Sequence, residues 1–94
     1  MSIVEITTFR LAPGTDSADF LRADRDVQTE LYSPAPGFLR RTTARGADGE
    51  WAVVTLWRSE ADADAVDAGH PTARAFARLV EPASLTVRRY TPLE

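Results

Sequence analysis

The sequence has 94 residues, of which 44% are hydrophobic and 27% charged, a composition typical of one globular domain. It contains no cysteine and a single histidine, which excludes disulfides, thiol catalysis and a multi-histidine metal site. A net charge of −3 with dispersed arginines argues against nucleic acid as a partner. No apolar run approaches the roughly 18 residues of a membrane span, so we expect a cytoplasmic protein without a membrane anchor.

The first third of the chain is predicted to form one strand and one helix. Residues 3–11 are rich in β-branched side chains and predict a strand, which the turn at 12–15 ends. Asp16 or Ser17 then provides the N-cap of a helix that runs to about Tyr32. The apolar stripe of this helix has helical spacing and comprises Phe20, Ala23, Val27 and Leu31.

The remaining predicted elements, in chain order, are strands at 38–45 and 50–58, a helix at 59–68, a helical piece at 73–80 and a strand at 84–90. The second helix starts at a capping box formed by Ser59 and Asp62. The Gly-His-Pro sequence at 69–71 breaks it, and Thr72 can cap the piece that follows. The order βαββαβ predicts an α+β, ferredoxin-like fold: one domain over residues 1–94, with a four-stranded antiparallel sheet and helices on one face.

The third strand is apolar on both of its faces. Alternation divides its side chains into two sets, Trp51, Val53, Thr55 and Trp57 on one face and Ala52, Val54 and Leu56 on the other. Because two helices cover only one face of the sheet, the second face would be an exposed apolar patch of a kind that monomers rarely tolerate. We therefore expect a homodimer whose sheets pack together through the face that carries Trp51 and Val53.

Four short motifs carry a family resemblance: Val4-Glu5-Ile6, Pro13-Gly14, Pro36-Gly37-Phe38, and Leu56-Trp57-Arg58-Ser59 ahead of a helix rich in alanine and acidic residues. With them, nearly the whole chain resembles the antibiotic biosynthesis monooxygenase-like group of dimeric α/β-barrel proteins. The resemblance implies a homodimer with a cleft between helices and sheet in each protomer. Relatives of this type include cofactor-free oxygenases of aromatic polyketides, and haem-degrading enzymes that pair a helical His with an Asn, a residue absent from this chain.

The resemblance thus implies a cofactor-independent monooxygenase, or a related tailoring enzyme, that acts on a small, flat, aromatic or polyketide-like substrate and needs no cofactor. Two alternatives stay open, because the fold alone does not decide the chemistry. One is a homodimer that binds a small aromatic ligand without turnover. The other is a structural homodimer whose cleft is filled by its own side chains. An empty cleft lined by Asp24 and His70 would favour the first two of these three functions, and a packed interior the last.

Two residues are candidates for catalysis. His70 is the only side chain whose unperturbed pKa lies near neutrality, which suits a general acid or base, but it also belongs to the helix break and could simply face water. Asp24 falls on or beside the apolar stripe of the first helix, and a buried carboxylate must be paired. It is predicted to be a base or hydrogen-bond acceptor in the cleft, the partner of Arg41, Arg88 or Arg89 in a structural ion pair, or a residue at the edge of the stripe that reaches solvent.

Four further side chains are candidates for substrate binding: Trp57, Gln28, Phe76 and Tyr90. Trp57 and Trp51 would suit an aromatic wall, although packing in the core or at the dimer contact is the simpler interpretation. Gln28 lies one helical turn beyond Asp24, Phe76 is on the apolar side of the last helical piece, and the Tyr90 hydroxyl needs a partner. Arg40 and Arg41 are interpreted as a solvated or dimer-edge pair rather than an anion clamp.

Overall fold

The strands and helices follow one another in the predicted order. The computed structural model describes residues 1–93, and its elements are β1 (Ile3–Phe9), α1 (Ser17–Val27), a π-helical turn (Gln28–Tyr32), β2 (Phe38–Arg45), β3 (Trp51–Trp57), α2 (Glu60–Asp64), α3 (Pro71–Arg78), a 3₁₀ turn (Pro82–Ser84) and β4 (Thr86–Tyr90). The strands form one antiparallel sheet in the order β2-β3-β1-β4. The predicted α+β, ferredoxin-like fold is confirmed. Within residues 1–93 no helix is long and apolar enough to cross a membrane.

The helices cover the sheet face that was predicted to pack against a second copy of the chain. Trp51 and Val53 are each 6% exposed, whereas Val54 on the opposite face is 37% exposed. In the β1–β3 pair, Phe9 lies opposite Trp51 and Thr7 opposite Val53, so these side chains share the helix-facing side. The predicted homodimer contact through Trp51 and Val53 is therefore wrong, because the chain's own helices occupy that face.

The main core joins α1 and α3 to the middle of the sheet. Phe9, Phe20, Trp51, Val53 and Val80 are all buried and pack into one cluster, with Phe76, Leu11 and Leu79 partly buried against it. The ring of Phe20 lies 4.8 Å from that of Trp51 and 5.6 Å from that of Phe9, in tilted and edge-on arrangements that aromatic rings prefer. This cluster fixes the position of both long helices over the sheet.

A second aromatic cluster closes the other end of the layer between helices and sheet. Trp57 is fully buried, with ring centroids of Tyr32 and Phe38 at 5.7 Å and 5.8 Å from its own. Gly37, just before β2, has a φ of +78° and stands so close to the Asp62 side chain that a Cβ would overlap it. Only glycine meets both conditions, so the turn into β2 and the start of α2 are fitted to each other.

The helix ends differ from the predictions in two places. Asp16 caps α1 as expected, with its Oδ1 accepting a 2.8 Å hydrogen bond from the Ala18 N–H. However, α2 ends at Asp64, earlier than predicted, and the Asp67 carboxylate accepts a hydrogen bond from the Gly69 N–H in the segment that follows. Such local side-chain bonds compete with helix formation. In addition, α3 starts at Pro71 and is capped by His70 rather than by Thr72.

Candidate functional site

A cleft of about 350 Å³ lies between the helices and the sheet. Its apolar lining comes from α1, the π-helical turn, α3 and the β4 edge, and includes Val27, Leu31, Phe76, Leu85 and Val87. The volume falls within the range of about 300–1,000 Å³ typical of small-molecule sites. The cleft expected from the sequence is therefore present, and it is open rather than packed by the chain's own side chains.

The π-helical turn directs the end of the first helix toward this cleft. The Ser33 N–H donates to the Gln28 carbonyl over 2.9 Å, five residues back, which widens the turn. Leu31 and Tyr32, both in this turn, line the cleft. Turns of this kind often occur at functional sites. Gln28 itself is not among the lining residues, and its side-chain amide donates to the Ser33 hydroxyl at 3.3 Å.

A buried ion pair stands at the polar end of the cleft. Arg41 Nη2 donates to Asp24 Oδ1 at 2.7 Å, and the Thr43 hydroxyl donates to the same oxygen at 3.1 Å. The Arg41 side chain is 3% exposed and that of Asp24 is 14% exposed. The predicted pairing of Asp24 with Arg41 is confirmed, and the interpretation of Arg41 as a solvated or dimer-edge residue is wrong. Arg41 lines the cleft, whereas Asp24 lies behind it.

Tyr32 adds a neutral hydroxyl to this end of the cleft. Its ring lies under the Arg41 guanidinium, with 4.9 Å between the guanidinium carbon and the ring centroid, which is a cation–π contact. Burial raises the pKa of Tyr32 above its ordinary value, and the positive charge of Arg41 opposes this shift in part. The phenol of Tyr32 therefore keeps its proton at neutral pH.

Two buried side-chain N–H donors within residues 1–93 have no acceptor: Arg41 Nε and Trp57 Nε1. A buried donor without a partner costs about 1–3 kcal/mol, so an acceptor that reaches it gains that free energy. Trp57 does not line the cleft. Arg41 does, with a side chain that is 3% exposed, so its Nε is a buried donor without an acceptor beside the cleft.

A second ionic network lies on the β1 and β4 side of the cleft. Glu5 lines the cleft, and its Oε2 accepts a 2.9 Å hydrogen bond from Arg89 Nε. Arg89 Nη1 also donates to Asp64 at 2.7 Å and to Glu60 at 3.5 Å on α2. The hydrogen bonds to Asp64 and Glu5 hold the pKa of Arg89 above its ordinary value. Sequence reasoning missed Glu5, although its alternation with Ile3 and Thr7 gave the signal that it faces the helices.

His70 is used as a helix cap. Its Nδ1 accepts a 3.2 Å hydrogen bond from the Thr72 N–H and lies 2.9 Å from the Thr72 hydroxyl. A neutral imidazole that accepts at Nδ1 carries its proton on Nε2. His70 is not among the residues that line the cleft, although Ala73 in the first turn of the same helix is. The structure thus brings neither His70 nor Asp24 to the cleft surface.

The other residues predicted to contact the substrate lie in different parts of the structure. Phe76 lines the cleft, as expected for a substrate-binding side chain. Trp57 is fully buried in the second aromatic cluster, so the ring belongs to the core. Tyr90 pairs with Val4 in the β1–β4 ladder, on the sheet face that carries Ile6 and Val54 and points away from the helices. The placement of Tyr90 in the cleft is therefore corrected: its side chain is half exposed on the opposite face.

The antiparallel β2-β3-β1-β4 sheet, with helices on one face and a cleft between the two layers, defines a ferredoxin-like α+β protein. No family model matches the sequence, and no curated protein is similar to it in sequence.

Solved structures do share this fold over almost the whole chain. One is SnoaB, a cofactor-independent oxygenase from Streptomyces nogalater, with a TM-score of 0.80 and 18% identity over 99% of this chain and 94% of that one. Another is a candidate antibiotic biosynthesis monooxygenase from Caulobacter crescentus, with a TM-score of 0.79 and 17% identity over 99% and 91%. A third, from Bacteroides fragilis, is a dimeric protein of ferredoxin-like fold and unknown function, with a TM-score of 0.66 and 13% identity over 95% and 94%. At such low sequence identities, the structural similarity confirms the predicted resemblance to antibiotic biosynthesis monooxygenases at the level of the fold.

Proposed function

We propose that this protein is a cofactor-independent oxygenase that acts on a small, flat aromatic substrate with a phenolic oxygen, bound in the cleft between helices and sheet. The observation that carries the proposal is an apolar cleft with a buried arginine at one end, whose Nε has no acceptor among residues 1–93. The apolar walls suit the rings, and the free N–H of Arg41 suits the oxygen. The shared fold with SnoaB, named as a cofactor-independent oxygenase, agrees with this assignment.

In such chemistry the substrate itself supplies the electrons that reduce dioxygen. α-Naphthol and O2, for example, give the para-quinone and one water: the ring carbon opposite the hydroxyl loses hydrogen and gains one oxygen atom, and the second oxygen atom leaves as water. The protein has to favour the phenolate, hold the ring and keep bulk water out.

Each of these tasks has a candidate residue. Arg41 Nε donates to the phenolic oxygen and stabilises its negative charge as the proton leaves. Glu5, whose Oε2 is held by Arg89, offers its other carboxylate oxygen in the cleft as the proton acceptor. Asp24 takes part by holding Arg41 in position. His70 takes part by fixing the first turn of α3, which carries the lining residue Ala73.

The test is oxygen uptake with α-naphthol as the probe. We expect quinone formation and oxygen consumption in equal amounts with the native protein. Ala73→Phe fills the cleft and should abolish both, whereas Ala75→Phe adds the same ring to the exposed side of the same helix and should leave both unchanged. Equal rates in the two variants would refute the cleft as the site of reaction.

Binding without turnover is the second candidate function, and one observation favours it. The carboxylates of Glu5 and Asp24 each already have one oxygen hydrogen-bonded to an arginine, so neither is a fully free proton acceptor. On this alternative the native protein binds α-naphthol but consumes no oxygen, and Ala73→Phe removes the binding. The third function, a structural dimer, would need an interior filled by the chain's own side chains, and the open cleft speaks against it.

A second copy of this chain is the proposed cover for the open sheet face, defined here as the face opposite the helices. The apolar side chains on it include Val4, Ile6, Val54 and Leu56, which neighbour one another in the β1–β3 register. A patch of this kind is characteristic of an interface. The fold neighbour from Bacteroides fragilis is named as a dimer, which agrees with a homodimer of this chain.

A further inference from the structure

Every charge at the wall of the cleft is already balanced by an opposite one. Arg41 is paired with Asp24 at 2.7 Å, and Glu5 with Arg89 at 2.9 Å. Arg89 is shared further with Asp64 at 2.7 Å on α2. Because Arg89 also lies 3.5 Å from Glu60, the two arginines near the cleft face four carboxylates, and Tyr32 adds no charge, because burial keeps it protonated.

An anion that enters this cleft already charged, unlike a phenolate formed there by proton transfer to Glu5, would meet no uncompensated positive charge. It would lose its hydration and gain one hydrogen bond from Arg41 Nε, while the carboxylates behind both arginines repel it. A neutral phenol or carbonyl oxygen gains the same hydrogen bond without the cost of dehydrating a full charge. The neutral ligand is favoured by this difference.

We infer that the cleft selects neutral aromatic molecules with a single oxygen acceptor and rejects aromatic carboxylates and phosphates, and that Asp24 is the residue that sets this selectivity. The inference rests on the proposed function in one respect, namely that the cleft is the ligand site. Asp24 acts here without touching the ligand. It neutralises the charge of Arg41, so that Arg41 offers the ligand only the hydrogen bond of its Nε–H.

Three probes of the same ring size separate the contributions of shape, of the hydrogen bond and of charge to the binding affinity. Naphthalene has no acceptor, α-naphthaldehyde has a neutral carbonyl, and α-naphthoate has a carboxylate at the same ring position. Titrating each into the native protein at neutral pH, by calorimetry, should give the aldehyde the tightest binding. We expect the naphthoate to bind at least about tenfold more weakly than the aldehyde, since its charge must be dehydrated without a free counter-charge.

Asp24→Asn supplies the second arm of the experiment. The amide keeps an acceptor for Arg41 and Thr43 but removes the negative charge, so the cleft gains one net positive charge. The ratio of naphthoate to aldehyde affinity should rise by about tenfold or more, as expected for an arginine freed of its counter-ion in a poorly hydrated site. Asp19→Asn makes the same change on the exposed side of α1, where Asp19 pairs with Arg22, and should leave the ratio unaltered.

The outcomes separate this inference from the oxygenase assignment. Naphthoate binding as tight as that of the aldehyde in the native protein would overturn the inference, whatever the protein does to α-naphthol. An equal shift of the ratio in Asp24→Asn and Asp19→Asn would overturn the role of Asp24. If the aldehyde is preferred and Asp24→Asn alone shifts the ratio, the inference stands even where no oxygen is consumed. Should none of the three probes bind, both the inference and the proposed site fail.

Discussion

Removal of the Asp24 carboxylate tests the buried ion pair on which the candidate site depends. Asp24→Ala deletes the acceptor for Arg41 and Thr43 and leaves a guanidinium that is 3% exposed without its counter-ion. Breaking a buried pair in this way costs about 3–5 kcal/mol. Asp24→Asn keeps an acceptor oxygen and should cost less, about 1–3 kcal/mol. Small domains have total stabilities of about 5–15 kcal/mol, so the alanine variant should be marginally folded.

Urea denaturation followed by tryptophan fluorescence measures this effect, because Trp51 and Trp57 are both buried. The matched control is Asp19→Ala, on the same helix, whose side chain is 59% exposed and pairs with an exposed arginine. Exposed pairs contribute less than about 1 kcal/mol. Equal losses of unfolding free energy in Asp24→Ala and Asp19→Ala would refute the burial of the pair. A fully stable Asp24→Asn that has lost turnover would instead show that Asp24 acts on the reaction rather than on stability.

Three further predictions follow from named contacts. Trp57→Ala should lower the unfolding free energy by about 3–5 kcal/mol, because it leaves a cavity in the second aromatic cluster; a loss below 1 kcal/mol, on the order of a surface change, would contradict the core position of this ring. Since the raised pKa of Tyr32 means that the unfolded chain loses the phenol proton first, unfolding free energy should fall as the pH rises above 10.0, the ordinary value of this group. Tyr32→Phe should flatten that fall. The native chain should sediment at twice 10.3 kDa, and Val54→Asp should dissociate it because the charge would be buried at the contact; a native monomer at micromolar concentration would disprove the homodimer.

The sequence was sufficient for the element order and for most element bounds. The alternation along residues 3–9 and 51–57 and the N-cap at Asp16 are local signals, and the structure confirms all of them. Which side of β3 the helices cover was not decidable in this way, because both faces of that strand are apolar. The helices cover the Trp51 face because Phe20 packs against Trp51 and Phe9 there, and this is a tertiary contact.

The candidate site was harder to predict for the same reason. Asp24 and Arg41 are 17 residues apart in sequence, and only the crossing of α1 over β2 brings them together. The polar character of β2 suggested a partly exposed strand, yet Arg41 is one of its three partly buried residues and lies beneath the helix layer. The capping role of His70 does have a local signal in the sequence. A proline at the first position of a helix, here Pro71, indicates that the residue before it is the N-cap.

The central claim is that dioxygen reacts with a flat phenolic substrate inside the cleft. Its most direct test is a reaction of α-naphthol under isotopically labelled dioxygen, with native protein and Ala73→Phe in parallel, followed by mass spectrometry of the quinone. The account predicts one labelled oxygen atom in each quinone molecule formed by the native protein, with the second in water, and no more product from Ala73→Phe than from a protein-free sample. A quinone without label, or labelled quinone formed equally fast with the cleft blocked, would contradict it.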